Sequence, residues 1–262
     1  MTIKSLENEE KIIEEFLRSI GPWKDFIVVG GGFALMIYKL YFSDPTTERI
    51  PIGTRDIDSL VPRKIPEVSK KNIAKFLIEA GFTHVFKDLN EPPTEGYIKK
   101  VNNLEIEIEF LTDALARKNK YKNVFISGIV AQPLSYLELS LEVTREFQTS
   151  SGELGWVVSP GAWIFHKGLT FLKRRNLPKI CKDLYGIWYV SSQLGEFSIE
   201  AVSELKILKK ERPNWGKTFI NNLKNWLRDA SPSDYSILEA QDPFGKLKRG
   251  HFNRIISEIT GV

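Results

Sequence analysis

From Leu104 to Phe110 apolar and acidic side chains alternate without a break, Leu-Glu-Ile-Glu-Ile-Glu-Phe, a period of two that fits a strand and not a helix. In that strand Leu104, Ile106, Ile108 and Phe110 face a core, and Glu105, Glu107 and Glu109 line the opposite face. Three aligned carboxylates repel one another unless water, lysine or a metal compensates them. Residues 53–61, Gly-Thr-Arg-Asp-Ile-Asp-Ser-Leu-Val, pose the same problem. Read as a strand, they place Asp56 and Asp58 on one side and Ile57 on the other, with the two aspartate Cα atoms roughly 7 Å apart. An acid-x-acid pair on a half-exposed strand is ordinary surface chemistry when it stands alone. If the two strands lie side by side, however, a third carboxylate meets the first two and the cluster attracts a divalent cation. Ligands that are all oxygen select a hard ion, Mg2+ or Mn2+. Substrate phosphates usually complete a Mg2+ shell, so a nucleotide is the expected third party.

The rest of the chain divides by texture. Residues 6–20 have helical spacing and stop at Gly21-Pro22. Asp25–Val29 is expected as a short buried strand, followed by three glycines and a helix from Phe33 to Phe42. A loop over 43–53 leads to the acidic strand, which Pro62 closes, and the spacing predicts a helix over 67–80 ending at Gly81. Thr83–Lys87, Tyr97–Val101 and Leu104–Leu111 are expected as strands, the last two joined by a tight turn at Asn102-Asn103. A short helix over 133–142 and a hairpin turning at Ser151-Gly152 complete this part, and from Pro160 onward every segment has helical spacing. The expected architecture is α+β, with a mixed or antiparallel sheet flanked by helices over 1–159 and an α-helical bundle over 160–262.

Composition narrows the function classes. A chain of 262 residues with 42% apolar content can bury a substantial core. The single cysteine, Cys181, excludes an internal disulfide, and with no charged-then-apolar leader at Met1 the expected location is cytoplasmic. No apolar run reaches the ~18 residues of a membrane span. The three histidines, His84, His166 and His251, show no zinc spacing with that cysteine. The net charge is only +4, yet from Pro160 to Arg228 thirteen Lys or Arg stand against five Asp or Glu. That excess suits either solvated helix faces or a phosphate backbone.

Gly31-Gly32, at a strand-to-helix turn, exposes backbone N–H groups and permits close approach, as a phosphate cradle requires, although a tight packing turn reads the same way. The spacing of Gly-Gly-Gly-Phe-Ala-Leu fits neither a Walker A loop nor a dinucleotide fingerprint. Taken in order, Val-Val-Gly-Gly-Gly-Phe-Ala-Leu, Thr-Arg-Asp-Ile-Asp-Ser-Leu-Val and Glu-Ile-Glu-Phe-Leu-Thr resemble the nucleotidyltransferase fold of the DNA polymerase β superfamily. Within it, the chain is similar to AbiE-type nucleotidyltransferase toxins of abortive-infection and toxin–antitoxin systems. Gly31, Gly32, Ala34 and Leu35 match the turn of that family, and Thr54, Asp56 and Asp58 match its acidic strand. Lys167, and Lys182-Asp183 in the stretch beginning Lys-Asp-Leu-Tyr, match later motifs. The chain departs from the pattern in a longer connection between Gly32 and Asp56, and in Gly186 where a second aspartate is common.

The resemblance implies transfer of a nucleoside monophosphate from an NTP to an acceptor hydroxyl, with Asp56, Asp58 and Glu109 binding two metal ions and Glu107 the alternative third acid. It also implies a triphosphate lying against Gly31-Gly32, with Lys167 contacting a phosphate and Asp183 orienting Lys167 or the acceptor. An RNA such as tRNA, or a protein side chain, is the implied acceptor, and a neutralising antitoxin the implied partner. Two alternatives stand beside this expectation. One is a small-molecule nucleotidyltransferase of the antibiotic-modifying kind, and the other a non-catalytic nucleotide-sensing or partner-binding protein that keeps the fold.

Overall fold

The computed structural model describes residues 3–44, 54–88, 91–101, 104–114 and 122–261. Helix α1, Ile3–Ile20, buries Ile12, Ile13, Phe16, Leu17 and Ile20 as one stripe. A 3-10 turn over Gly21–Phe26 then takes up Asp25 and Phe26, so strand β1 keeps only Val28–Val29 of the apolar run expected to form it. Helix α2, Gly31–Ile37, continues into a π-helical turn, Tyr38–Phe42. Strand β2 is Asp56–Leu60. Helix α3 is Ile73–Glu79, shorter than the helix expected over 67–80, because its start is fixed by the Asn72 side chain, which accepts from Lys75 N at 2.9 Å. Pro62 and Pro66 precede it in an irregular segment.

Strands β3, Thr83–Phe86, β4, Glu95–Val101, and β5, Leu104–Asp113, follow as an antiparallel meander. The turn expected at Asn102-Asn103 and residues 45–53 of the expected loop lie outside the described residues. Strands β6, Val124–Ile126, and β7, Ile129–Leu134, had no counterpart in the sequence reading. The helix expected over 133–142 forms only as α4, Leu137–Glu142. The hairpin of β8, Thr144–Gln148, and β9, Leu154–Val158, is present, with Gly152 at its turn with φ +89°.

These strands form one mixed sheet in the order β3-β4-β5-β2-β1-β9-β8, with β7 pairing the end of β5 and also β6. The pairs β2–β5, β1–β9 and β5–β7 are parallel, the others antiparallel. The alternation at 104–110 behaves as its period dictates: Ile106, Ile108 and Phe110 are buried, while Leu104, at the strand's start, is exposed.

The chain forms two compact units, the described residues up to Tyr41 with those from 54 to Val158, and Phe42–Asp44 with those from Ser159 onward. Among the described residues the second unit has helices and no strand. It contains α5, Pro160–Thr170, with a 3-10 turn over Phe171–Lys173, then α6, Leu177–Ser192, and α7, Glu196–Glu211. It ends with α8, Pro213–Asp229, α9, Pro232–Glu239, and α10, Arg249–Thr260. Ser159, Asn176 and Ser231 cap α5, α6 and α9 with side-chain acceptors, each just ahead of a proline in the first turn. Phe165, Phe171, Trp188 and Phe219 fill the core of this unit. The whole is α+β, a mixed sheet with its helices followed by a helical region. Among the described residues no helix is long and apolar enough to cross a membrane.

Candidate active site

Strands β2 and β5 are direct neighbours and run parallel, in a register that sets Asp56 beside Glu107 and Asp58 beside Glu109. Register partners point to the same face of a sheet. The four carboxylates therefore share one face, about 4.8 Å apart across the strands and about 7 Å apart along them at the backbone. On the other face Ile57 and Ile108 are fully buried. The period-two pattern of both segments is thus satisfied together. Asp56 is exposed, and Asp58, Glu107 and Glu109 are half-buried.

The glycine turn meets the same strand. Gly30 N donates to Asp58 O at 2.8 Å, joining the end of β1 to the acidic segment. Gly31 follows with φ +55°, and a methyl group there would overlap the Asp58 carboxylate, coming 3.0 Å from its Cβ. At Gly32 a methyl group would lie 2.8 Å from Thr54 Oγ1. Both glycines are needed for close packing, since no larger residue leaves room for Asp58 and Thr54 where they stand.

Lys87 is the member of this site that the sequence reading missed. It follows β3, and its Nζ lies 2.6 Å from Glu107 Oε1 and also contacts Glu109 Oε1. Its backbone is held by donation from Lys87 N to Thr94 O at 2.8 Å. Gly96 on β4 makes room for the pair, because a methyl group there would fall 3.1 Å from Lys87 Cε. Burial works to lower the Lys87 pKa, but the two glutamates outweigh it and raise the pKa above the ordinary lysine value. The ammonium therefore supplies the compensation that a row of acids demands. Among the described residues no group of three or more His, Cys, Asp or Glu side chains is arranged to hold a metal ion.

The chain is similar in structure to an antigenic nucleotidyltransferase-like protein from Paracoccidioides brasiliensis, with a TM-score of 0.43 and 14% identity over 81% of this chain and 92% of that one. No family model matches the chain, and no curated protein matches it in sequence.

Lys167 and Asp183 belong to the second unit, on α5 and α6, and are paired there. Lys167 Nζ donates to Asp183 Oδ1 at 2.8 Å, and Arg174 Nε to Asp183 Oδ2 at 2.8 Å. The Trp163 ring centroid is 5.5 Å from the Lys167 ammonium. Asp183 is buried, and burial alone would raise its pKa, yet Lys167 and Arg174 together hold the carboxyl below its usual value. Arg174, just past the 3-10 turn, is the second cation of this triad.

Proposed function

We propose that the chain is a nucleotidyltransferase whose acids are Asp56, Asp58 and Glu109. The observation that supports this most is the parallel register of β2 and β5, which sets Glu109 beside Asp58 next to the Gly31 turn. In the proposed reaction an acceptor hydroxyl attacks the α-phosphorus of an NTP. The new bond joins the acceptor oxygen to that phosphorus, and the bond to the bridging oxygen breaks as pyrophosphate leaves.

The donor set is oxygen only, the chemistry Mg2+ or Mn2+ prefers, and although these side chains are not gathered for an ion as they stand, Asp56, Asp58 and Glu109 would hold one by turning toward it from their shared sheet face. Such ions, when bound, activate the attacking oxygen and neutralise charge on the leaving group. The chain's own contribution is positional. Gly31 and Gly32 leave the room that Asp58 and Thr54 fill, which draws the backbone of the turn, where the triphosphate is to lie, against the acidic strand, and Lys87 holds Glu109 until a stronger cation competes for it. For Lys167 and Asp183 the family resemblance is the support for a phosphate contact and its orientation. The basic residues of the second unit favour RNA, including tRNA, over a protein or a small molecule as acceptor. A toxin role restrained by an antitoxin belongs to this same proposal.

One observation favours a second reading. With Glu107 and Glu109 already compensated by Lys87, the face is suited to a non-catalytic protein that binds a nucleotide without turning it over. Incubation with α-labelled and γ-labelled NTPs separates the two. Label passing to RNA or protein from the α position only, and lost in Asp56→Asn and Asp58→Asn, is the expected result. Transfer from the γ position, or full activity in both variants, overturns the proposal, and nucleotide binding without any transfer favours the second reading.

A further inference from the structure

The four carboxylates occupy one stretch of β2 and β5, and a different chemistry gathers where these strands end. Asp113 lies four residues beyond Glu109, about 13 Å along the strand. Its carbonyl accepts a hydrogen bond from Arg63 Nε at 2.7 Å. Arg63 lines a cavity of about 650 Å3 bounded by the segment after β2, the start of α3 and the β6–β7 hairpin. Four cations line it, Arg63, Lys64, Lys70 and Lys75, against the single carboxylate of Glu67. None of the four forms an ion pair among the described residues, and Arg63 Nη2 is buried without a hydrogen-bond partner. That nitrogen is closed to solvent, so an oxyanion in the cavity would meet the accessible part of half-buried Arg63 together with the three lysines, whose charge it complements.

The cavity also has an aromatic side. Phe125 on β6 lines it while 70% exposed, which leaves a flat apolar surface for a base to cover. The hairpin bearing Phe125 is held to α3, for Ile73 N donates to Ser127 O at 3.1 Å, so the ring stands on a fixed support. The volume exceeds what inorganic phosphate needs and falls in the range of sites for small organic ligands.

We infer that this cavity is a second binding site, for a nucleotide unit whose phosphate meets Arg63, Lys64, Lys70 and Lys75 and whose base stacks on Phe125. The unit is either a free mononucleotide or one residue of a single strand, and the two share the recognition chemistry. The site is independent of the transfer reaction, since none of its residues is among the acids.

The test uses the full chain carrying Asp56→Asn and Asp58→Asn, without divalent metal, so that the carboxylate face does not contribute. Binding of a fluorescein-labelled hexauridylate is followed by anisotropy and binding of AMP by calorimetry. Phe125→Ala, an exposed change that leaves the core intact, is expected to weaken binding at least five-fold, within the range of stacking on one aromatic ring. Lys70→Glu with Lys75→Glu is expected to weaken hexauridylate binding at least ten-fold at low salt and to flatten its salt dependence. Equal affinity for both probes identifies a free-nucleotide site, and a strong preference for the hexamer identifies a strand. Failure of both probes to bind, or binding that neither set of substitutions changes, overturns the inference. Because label transfer is measured separately in the unsubstituted chain, loss of one conclusion leaves the other standing.

Discussion

Replacing Lys87 with methionine keeps most of its stem and removes its charge, which tests whether the acidic face is a cation site. Without the ammonium, Glu107 and Glu109 face each other uncompensated. Because both carboxylates touch one ammonium, their oxygens lie within about 5 Å, and unit charges at that distance repel by about 3 kcal/mol at an effective dielectric constant near 20. The three side chains are 30%, 23% and 24% exposed, so solvent screens part of this. Lys87→Met should therefore lower the unfolding free energy by about 1–2 kcal/mol, read as a fall in the urea midpoint at neutral pH. Mg2+ should then restore more stability to the variant than to the parent. At ten times its dissociation constant a ligand that binds only the folded state adds about 1.4 kcal/mol. The sign with pH follows from the raised Lys87 pKa. Its contribution is fully present below the ordinary lysine value of 10.5 and is lost as pH rises through the higher folded-state value. The gap between parent and variant should hold from neutral pH to about 10 and close above it. Equal responses of both proteins to Mg2+, or a variant as stable as the parent at neutral pH, would refute the reasoning.

Four further outcomes are expected. Gly31→Ala should cost about 1–2 kcal/mol for its left-handed backbone and more for displacing Asp58, with loss of label transfer. Gly152→Ala, with φ +89° and nothing within 4 Å of the added methyl, should show only the backbone part of that cost in the same denaturation assay and keep transfer. Asp56→Asn, at an exposed position, should change stability by less than about 0.5 kcal/mol while abolishing transfer, so an inactive but destabilised variant would count against its assignment. Asp183→Asn leaves the 12% exposed Lys167 without its charge partner and should cost about 3 kcal/mol by calorimetry. Because the Asp183 pKa is lowered, that stability is present above its ordinary 3.8 and lost as pH falls through the folded-state value, so the two proteins should converge in acid.

Much of the sheet was legible because it rests on local pattern. The two acidic segments are strands, Ile57 and Ile108 point inward, and the hairpin at Gly152 turns where its glycine allows. What escaped depended on tertiary context. Asn72 as a cap shortened α3, and a 3-10 turn claimed residues 25 and 26 from β1. Strand β7 carries Pro133, which argues against a strand unless its neighbours are known, and so 129–134 gave no strand signal. The acidic face was half visible. Its four carboxylates could be listed from two alternating segments, but not that β2 and β5 pair in parallel. Lys87 gave no signal either, since a lysine just past a strand has no periodicity that directs it to Glu107 and Glu109. In the second unit the pairing of Lys167 with Asp183 was among the options sequence allowed, while its sharing with Arg174 required the turn after α5 to be seen.

The parallel pairing of β2 with β5 makes the acid arrangement unforgiving of misalignment. Shifting β5 by a single residue would drive its glutamates inward and turn Ile108 outward. Pairing the two strands also closes a loop that holds α3, β3 and β4, whose entropy the pairing must offset. A nascent chain halted before residue 109 would own both aspartates yet lack the neighbour that Asp58 acquires, so the acidic face is complete only once β5 has joined β2.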